Sequence, residues 1–263
     1  MYHGKTVSVV LATYKEKGSI KKVIDDFFET GFVDEVVVIN NNAEPGTDAE
    51  IGKTNAKLIY ETKQGYGYAF QKALIEAKGD YIVVSEPDGS FETKDLERFL
   101  VYARDFDVVL GTRTSQIGSL SGSGMGIIRK FANVIEAKTI EILFNTFALT
   151  DVGCTYKLFS RKALDKIKPL WRTKSALFNT ELILLTVSEN IKFVEIPITY
   201  KQRVGISSIV GNWRQVMKWA VIIQIYILII WSKWIITKLK NRFKVFYFSK
   251  IAFREARKKR PYT

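Results

Sequence analysis

The chain predicts a layered α/β protein built on a mainly parallel sheet. Short apolar, β-branched runs recur at 7–12, 35–39, 57–60, 81–85 and 107–110, and segments with helical apolar spacing lie between them. Strand and helix alternate throughout, and parallel neighbours need such crossover helices. Most of the strand runs are apolar without alternation, as expected when both faces of a sheet are covered.

The first run, VSVVLA at 7–12, reads as a buried strand. Ser19 is the expected N-cap of a helix whose Ile20, Val23, Ile24, Phe27 and Phe28 recur at i, i+3 and i+4, with Gly31 as its stop. EVVVI at 35–39 gives a second strand and 57–60 a short third. Between 68 and 78, Ala69, Ala73, Leu74 and Ala77 share one helical face, closed by Gly79. Residues 81–85, YIVVS, form the fourth strand. Leu96, Phe99, Leu100 and Ala103 then mark a helix that precedes the strand at 107–110. No internal repeat or low-complexity segment interrupts the series.

Composition narrows the chemistry. The chain has 263 residues, 47% of them apolar, enough for one sizeable core with an appendage. A lone cysteine, Cys154, rules out an internal disulfide framework. A lone histidine, His3, rules out a histidine-cluster zinc site and a well-placed Ser–His–Asp triad. A metal would therefore be held through oxygen, which favours Mg2+ or Mn2+. The net charge of +13 is concentrated: from Lys233 onward there are 11 Lys/Arg and one acid, Glu255. That tail carries +10 and the preceding 232 residues only +3, so the basicity describes an attachment device, and nucleic acid is not an expected partner.

Three strands end in polar sequence: TYKE at 13–16, NNNAEPGT at 40–47 and EPDGS at 86–90. The carboxyl ends of parallel strands share one edge of a sheet, where ligands bind, so these clusters are expected to converge. Pro87-Asp88-Gly89 is also good turn chemistry, with Asp88 bonding its own backbone. Convergence favours the alternative, a metal site at Glu86 and Asp88.

Taken together and in order, VVLATYKE, VVVINNNAEPGT, KQGYGYAFQKALIEAKGDYIVVSEPDGSF, DVGCTYKLFSR (151–161) and EIPITYKQRVGISS (195–208) resemble the motifs of family-2 glycosyltransferases of the GT-A fold. The branch most similar contains dolichyl-phosphate mannosyltransferases and bacterial polyprenyl-phosphate glycosyltransferases. The resemblance covers roughly residues 6–210 and implies a Rossmann-like mainly parallel sheet flanked by helices. It implies a nucleotide-sugar donor bound by Ala12, Thr13, Tyr14, Glu16, Asn40, Asn41, Gly65, Gly67, Glu86, Asp88 and Arg203. It also implies a divalent ion at Glu86 and Asp88 with Ser90, and Arg203 closing over the donor phosphates. Asp88 and Arg203 are the expected catalytic residues. Arg113, Arg129 and Asn133 would hold the phosphate of a polyprenyl acceptor, Arg129 and Asn133 lying i, i+4 on one helix face. This sequence departs from the family pattern at Ala12 and Lys15, at Asn40 and Asn41 where paired acids are usual, and at Glu86, where the metal motif usually has an aspartate. Asn donates as well as accepts, so it can still read an edge of a base, while an Asp-type contact to an N–H is altered.

Transfer to a hydroxyl usually needs a general base near the acceptor, and the sequence offers no compelling one. A phosphate monoester, with a second pKa of about 6, attacks without one. Direct attack would invert the anomeric centre.

Beyond the motifs, Trp219–Trp231 is apolar apart from Gln224, and the stretch between Lys218 and Lys233 is 14 residues, short of the roughly 20 that span a bilayer. Trp213, Trp219, Trp231 and Trp234 suit a membrane interface. The expected organisation is a GT-A domain at 1–210, a membrane-associating helix at 211–236 and a basic amphipathic tail at 237–263 on anionic headgroups of the cytoplasmic face. Three other readings stay open: a family-2 enzyme with a saccharide or other hydroxyl acceptor, a sugar-phosphate nucleotidyltransferase, and a non-catalytic membrane-binding protein.

Overall fold

In the computed structural model, which describes residues 1–114, 126–146, 149–204 and 213–258, the described residues contain seven strands. These are β1 (Val7–Thr13), β2 (Glu35–Asn40), β3 (Lys57–Tyr60), β4 (Tyr81–Ser85), β5 (Val108–Thr112), β6 (Lys157–Ser160) and β7 (Phe193–Pro197). The helices are α1 (Lys17–Glu29), α2 (Thr47–Ile51), α3 (Tyr66–Glu76), α4 (Leu96–Tyr102), α5 (Ile127–Phe144), α6 (Arg161–Ile167), α7 (Leu177–Ser188) and α8 (Trp213–Lys258). The strands form one sheet in the order β3-β2-β1-β4-β6-β5-β7. All neighbours are parallel except β6, which runs antiparallel between β4 and β5. This is the expected mainly parallel α/β architecture.

Alternation along each strand feeds two cores. Val10 of β1 points to one side, with Val37, Ile82, Phe70 and Leu74 of α3, and Phe178 and Leu182 of α7. Val9 and Leu11 point to the other, with Ile20, Ile24 and Phe27 of α1, Phe99 and Leu100 of α4, and Tyr156.

Two local expectations need correction. Ser19 is not the N-cap of α1. It is buried in the first turn, and its hydroxyl donates to the Pro87 carbonyl oxygen at 2.6 Å, fastening α1 to the tip of β4. Gly79 does not simply stop α3, which ends at Glu76. A Cβ at Gly79 would lie 2.5 Å from the Ser8 hydroxyl oxygen, which accepts the Gly79 N–H at 2.6 Å.

The long helix α8 packs along α5 and α7. Ile227 is fully buried in the core, flanked by half-buried Ile223, Tyr226 and Ile230. Four polar groups fix it: the Tyr226 hydroxyl donates to Glu181 Oε1 at 2.7 Å, Gln224 Nε2 to the Thr139 hydroxyl at 3.1 Å, Trp231 Nε1 to the Leu143 carbonyl at 2.7 Å, and Trp234 Nε1 to the Ser188 carbonyl at 3.1 Å. Two of the tryptophans expected at a membrane interface are thus bonded to the α/β domain. Trp213 is 60% exposed. The helix runs on through Lys218 and Lys233, and its 213–240 portion, 28 residues with an 18-residue stretch of mean hydropathy 1.9, is long and apolar enough to cross a membrane. α8 has no break at 236, and the side chains of the basic tail beyond residue 240 lie outside the described residues.

Candidate active site

The carboxyl ends of β1, β2 and β4 meet in a cleft of about 240 Å3 lined by Ala12, Thr13, Tyr14, Glu16, Asn41, Gln64, Tyr66, Phe70, Glu86, Asp88 and Arg203, among others. Each wall has a local cause. After β1 the chain turns sharply because the Glu16 carboxylate gathers the Tyr14 and Lys15 N–H groups, at 2.7 and 2.8 Å, on one oxygen. After β4, Gly89 takes a φ of 73°, the left-handed region that a glycine enters without strain, and the turn carries Asp88 back into the protein.

Asp88 is 1% exposed. Its Oδ1 accepts from the Ser90 N–H at 2.9 Å and the Ser90 hydroxyl at 2.6 Å. Its Oδ2 is buried without a hydrogen-bond donor and lies 3.3 Å from Arg203 Nη2. Arg203 is brought there by the 199–204 segment, which pairs with the strand tip: Val204 N–H donates to the Asp88 carbonyl, Lys201 N–H to the Ser90 carbonyl, and Phe91 bridges Tyr200. Glu86 hydrogen-bonds the Thr155 hydroxyl at 2.8 Å, and burial first, then the Asp88 charge, raises its pKa.

These oxygens suit a hard divalent ion. Asp88 Oδ2 is a buried anionic oxygen that accepts no hydrogen bond and faces the Arg203 guanidinium at 3.3 Å, Glu86 stands on the same cleft wall, and neither histidine nor cysteine lines the cleft. Ser90 spends its hydroxyl on Asp88, so it steadies that ligand. Among the described residues no group of three or more His, Cys, Asp or Glu gathers, so the protein would supply one or two ligands, a pattern typical of Mg2+ held with substrate phosphates.

Several expected donor contacts are engaged elsewhere. Asn40 does not line the cleft: its amide donates to Asp48 at 2.6 Å and its carbonyl oxygen accepts the Ala43 N–H at 2.7 Å. Asn41 borders the cleft, but its amide donates to the Glu61 and Lys63 carbonyls and its oxygen accepts the Gly65 N–H, which ties down the loop before α3. Gly65 and Gly67 leave room for protein backbone: a Cβ at Gly67 would lie 2.6 Å from the Lys174 carbonyl carbon, and the Gly67 N–H donates to the Lys174 oxygen. Short polar side chains and glycines at strand ends serve loop closure as readily as ligands, and the sequence does not distinguish the two.

A second cavity, about 150 Å3, adjoins the first and shares Tyr66, Glu86 and Arg203 with it. Its other walls include Arg129, Asn133 and Glu136 of α5, Thr155, Asn179 of α7, and Val216, Trp219, Ala220 and Ile223 of α8. Among the described residues Arg129 has no hydrogen-bond or ion-pair partner, and burial first, then the Arg113 charge, lowers its pKa. Arg113 departs from the expected arrangement. It is buried beside this cavity in a two-pronged pair with Asp151, Nε to Oδ2 at 2.8 Å and Nη2 to Oδ1 at 2.9 Å. Burial disfavours both charges, yet the pairing outweighs it, raising the pKa of Arg113 and lowering that of Asp151. Asp151 is positioned in turn by Glu195 of β7, whose carboxylate accepts from the Thr150 and Asp151 N–H groups. A Cβ at Gly153 would lie 2.7 Å from Asn133 Oδ1 and 3.0 Å from Arg113 Nη2, so this glycine lets α5 and the Arg113–Asp151 pair come together. The Gly/Ser-rich stretch of sequence at 115–125 and residues 205–208 of the last motif lie outside the described residues.

Tyr66 and Thr155 lie within the motifs but were not expected as site residues, and Glu136 lies outside them. Glu136 had a signal: it follows Arg129 by seven residues and Asn133 by three on the same helical face.

Residues 8–168 match the model of glycosyl transferase family 2. The chain is 27% identical over 222 residues to the low-salt glycan biosynthesis hexosyltransferase Agl6 of Haloferax volcanii, covering 80% of this chain and 52%, about half, of that protein. It is 24% identical over 224 residues to the dolichyl-phosphate beta-glucosyltransferase of Saccharomyces cerevisiae, covering 74% of this chain and 67% of that one. It is 24% identical over 200 residues to a dolichyl-phosphate hexose transferase of Haloferax volcanii, covering 76% and 84%. Among solved structures, glucosyl-3-phosphoglycerate synthase from Mycobacterium tuberculosis in complex with Mn2+, uridine-diphosphate and phosphoglyceric acid superposes with a TM-score of 0.67 at 15% identity. That superposition covers 87% of this chain and 79% of the other and is a likeness of fold.

Proposed function

The chain belongs to glycosyl transferase family 2, and from that premise we propose that it moves a sugar from a nucleotide-sugar donor to a polyprenyl phosphate of the dolichyl type at a membrane surface, with inversion. The observation that carries this reading is the pair of adjoining cavities with Tyr66, Glu86 and Arg203 between them. One has the acids suited to a metal-bound diphosphate, and the other has Arg129, a planar guanidinium suited to phosphate oxygens. The relatives named as acting on dolichyl phosphate support the same acceptor class.

In this reading Asp88, held by Ser90, and Glu86 carry Mg2+ or Mn2+, which when bound neutralises charge developing on the leaving diphosphate. Arg203, tethered to the strand tip through Val204 and Lys201, adds positive charge on the same side. Arg129 and Asn133 orient the acceptor. A phosphate oxygen forms the new bond to the anomeric carbon, the bond to the nucleoside diphosphate breaks, and the electron pair leaves with the diphosphate. The attacking oxygen is already anionic, so no protein base need take a proton.

The second cavity opens between α5 and α8, and the outer faces of those helices support a membrane setting. Ile128, Phe131, Ile135 and Ile142 of α5 are 48–79% exposed, and Val221, Ile225, Leu228, Ile236 and Leu239 of α8 are about half exposed. A contiguous apolar surface of this kind is rare on a soluble monomer. With the donor in the cytoplasm, the domain would sit on the cytoplasmic face. The division into a catalytic portion at 1–210, a membrane helix at 211–236 and a basic tail at 237–263 is part of the same proposal.

Transfer from UDP-, GDP- and dTDP-sugars to short polyprenyl phosphates, with and without EDTA, tests the reading. Metal-dependent formation of a polyprenyl-phosphate sugar of inverted configuration is the expected result. Transfer only to saccharide or polyprenol hydroxyls would refute the acceptor assignment.

A further inference from the structure

Arg129, Asn133 and Glu136 stand one above another on a single face of α5, and all three line the second cavity. Asn133 Nδ2 and Glu136 Oε2 are both buried without a hydrogen-bond partner. A buried polar group left without a partner is costly, and two of them beside an arginine with no partner among the described residues describe a site whose partner is a ligand. The opposite wall, from α8, is formed by Val216, Trp219, Ala220 and Ile223, which bring no charge and, of these four, a donor only in the Trp219 indole N–H. The other ionisable groups on the cavity are Tyr66 from α3, Glu86 from the tip of β4 and Arg203, while Asp151, paired with Arg113, exerts its charge on Glu136. An ionised Glu136 would repel a phosphate in this enclosed space, whereas a protonated carboxyl would donate to one.

We propose that Glu136 is a ligand of the acceptor phosphate, donating a carboxyl hydrogen bond to an oxygen that Arg129 and Asn133 leave open. This rests on the polyprenyl-phosphate reading above and names a residue that neither the motifs nor the resemblance assigned. Burial first, and Asp151 second, push the Glu136 carboxyl up to about 8, so it carries its proton at neutral pH. The proton remains on Glu136 through the reaction, because the attacking oxygen is a different one. The pocket thereby favours a phosphate, which has lone pairs to offer, and loses affinity as the carboxyl ionises.

Steady-state transfer to a short-chain polyprenyl phosphate, measured from about pH 6 to about pH 9.5 with wild type, E136Q and E136A, tests this against the alkaline limb. In wild type the acceptor KM should rise about tenfold per pH unit once pH passes about 8, as the competent fraction falls. E136Q keeps an N–H donor and cannot ionise, so its neutral-pH KM should stay within about threefold of wild type, with the alkaline rise abolished. E136A should raise acceptor KM about tenfold at every pH with donor KM unchanged. An alkaline rise that persists in E136Q overturns the proposal, as does loss of kcat in E136Q at all pH values, which would make Glu136 a base. The acceptor reading fails separately, and takes the proposal with it, if wild type transfers to polyprenol or a saccharide and not to polyprenyl phosphate.

Discussion

The Arg113–Asp151 pair gives the sharpest test of how the acceptor side is built. Both side chains are essentially inaccessible, at 2% and 0% exposure, and four donors converge on the Asp151 carboxylate: Arg113 Nε, Nη2 and its backbone N–H at 3.0 Å, and the Gly153 N–H at 3.1 Å. Removing one partner from such a pair strands a charge in the interior, and the cost is about 3–5 kcal/mol. Asp151→Asn should fall toward the upper end, because it removes the compensating charge and turns an amide N–H toward the guanidinium. For a chain of this size each kcal/mol lowers Tm by about 2–4 °C, so the expected drop is about 6–20 °C. Replacing both partners by apolar groups, Arg113→Met with Asp151→Leu, should recover most of that loss, since neither charge is then buried alone. Thermal unfolding in detergent, followed by near-UV circular dichroism, measures the four corners of the cycle, and acceptor and donor KM are taken on the same samples. A shift of less than about 1 kcal/mol for Asp151→Asn would refute the reasoning. So would an Arg113→Lys variant that raises acceptor KM at unchanged Tm, which would make Arg113 the direct phosphate ligand implied by the resemblance.

Asp88→Asn should preserve the fold, because Ser90 can still donate to the remaining carbonyl oxygen, while removing most metal-dependent turnover; unchanged activity that EDTA still inhibits would place the ion elsewhere. Gly67→Ala should destabilise by about 1–3 kcal/mol in a urea titration, since its methyl would meet the Lys174 backbone at 2.6 Å and neither chain segment can give way cheaply. Glu136→Gln should leave stability unchanged near pH 4 and raise it increasingly from about 4.5 to about 8, where the native carboxyl holds a proton that the unfolded chain has released. At about 1.4 kcal/mol per pH unit the gap approaches an upper bound of about 5 kcal/mol, read from unfolding midpoints across that window. Deleting residues 237–263 should weaken binding to anionic vesicles in a salt-dependent way, whereas Phe131→Glu with Ile142→Glu should weaken binding to neutral vesicles without lowering Tm; vesicle flotation separates the two contributions.

Residues 7–12, 35–39 and 81–85 could be read as buried strands because a strand covered on both faces needs an unbroken apolar run. The helices α1, α3 and α4 followed from i, i+3, i+4 spacing for the same kind of reason. β6 and β7 escaped because short, mixed segments such as KLFS carry little periodicity, and no local property records that β6 enters the sheet antiparallel. At the site, Glu86, Asp88 and Arg203 were legible as chemistry at strand ends and in a glycine-containing motif. Asn40, Asn41, Gly65 and Gly67 were legible as residue types in the right places, but their tasks were not.

The sequence by itself determined the α/β alternation, the polar strand ends, the lack of a histidine or cysteine cluster and the concentration of positive charge after Lys233. All of these are local or compositional and survive without knowledge of neighbours. Only the tertiary structure decided which polar groups are used up and which remain for a ligand. Asn41 donates to carbonyls 20 and 22 residues away, and Arg113 pairs with an aspartate 38 residues away, while Asn133 and Glu136 keep buried groups without a hydrogen bond beside Arg129 on one wall. Likewise the 219–231 stretch of α8 is apolar nearly all round in sequence, and only packing shows that Tyr226, Trp231 and the nearby Trp234 are bonded to the domain while Val221, Ile225 and Leu228 face outward. A side chain's type fixes how many hydrogen bonds and how much apolar surface it brings; its partners come from distant parts of the chain, and satisfaction is a property of the pair.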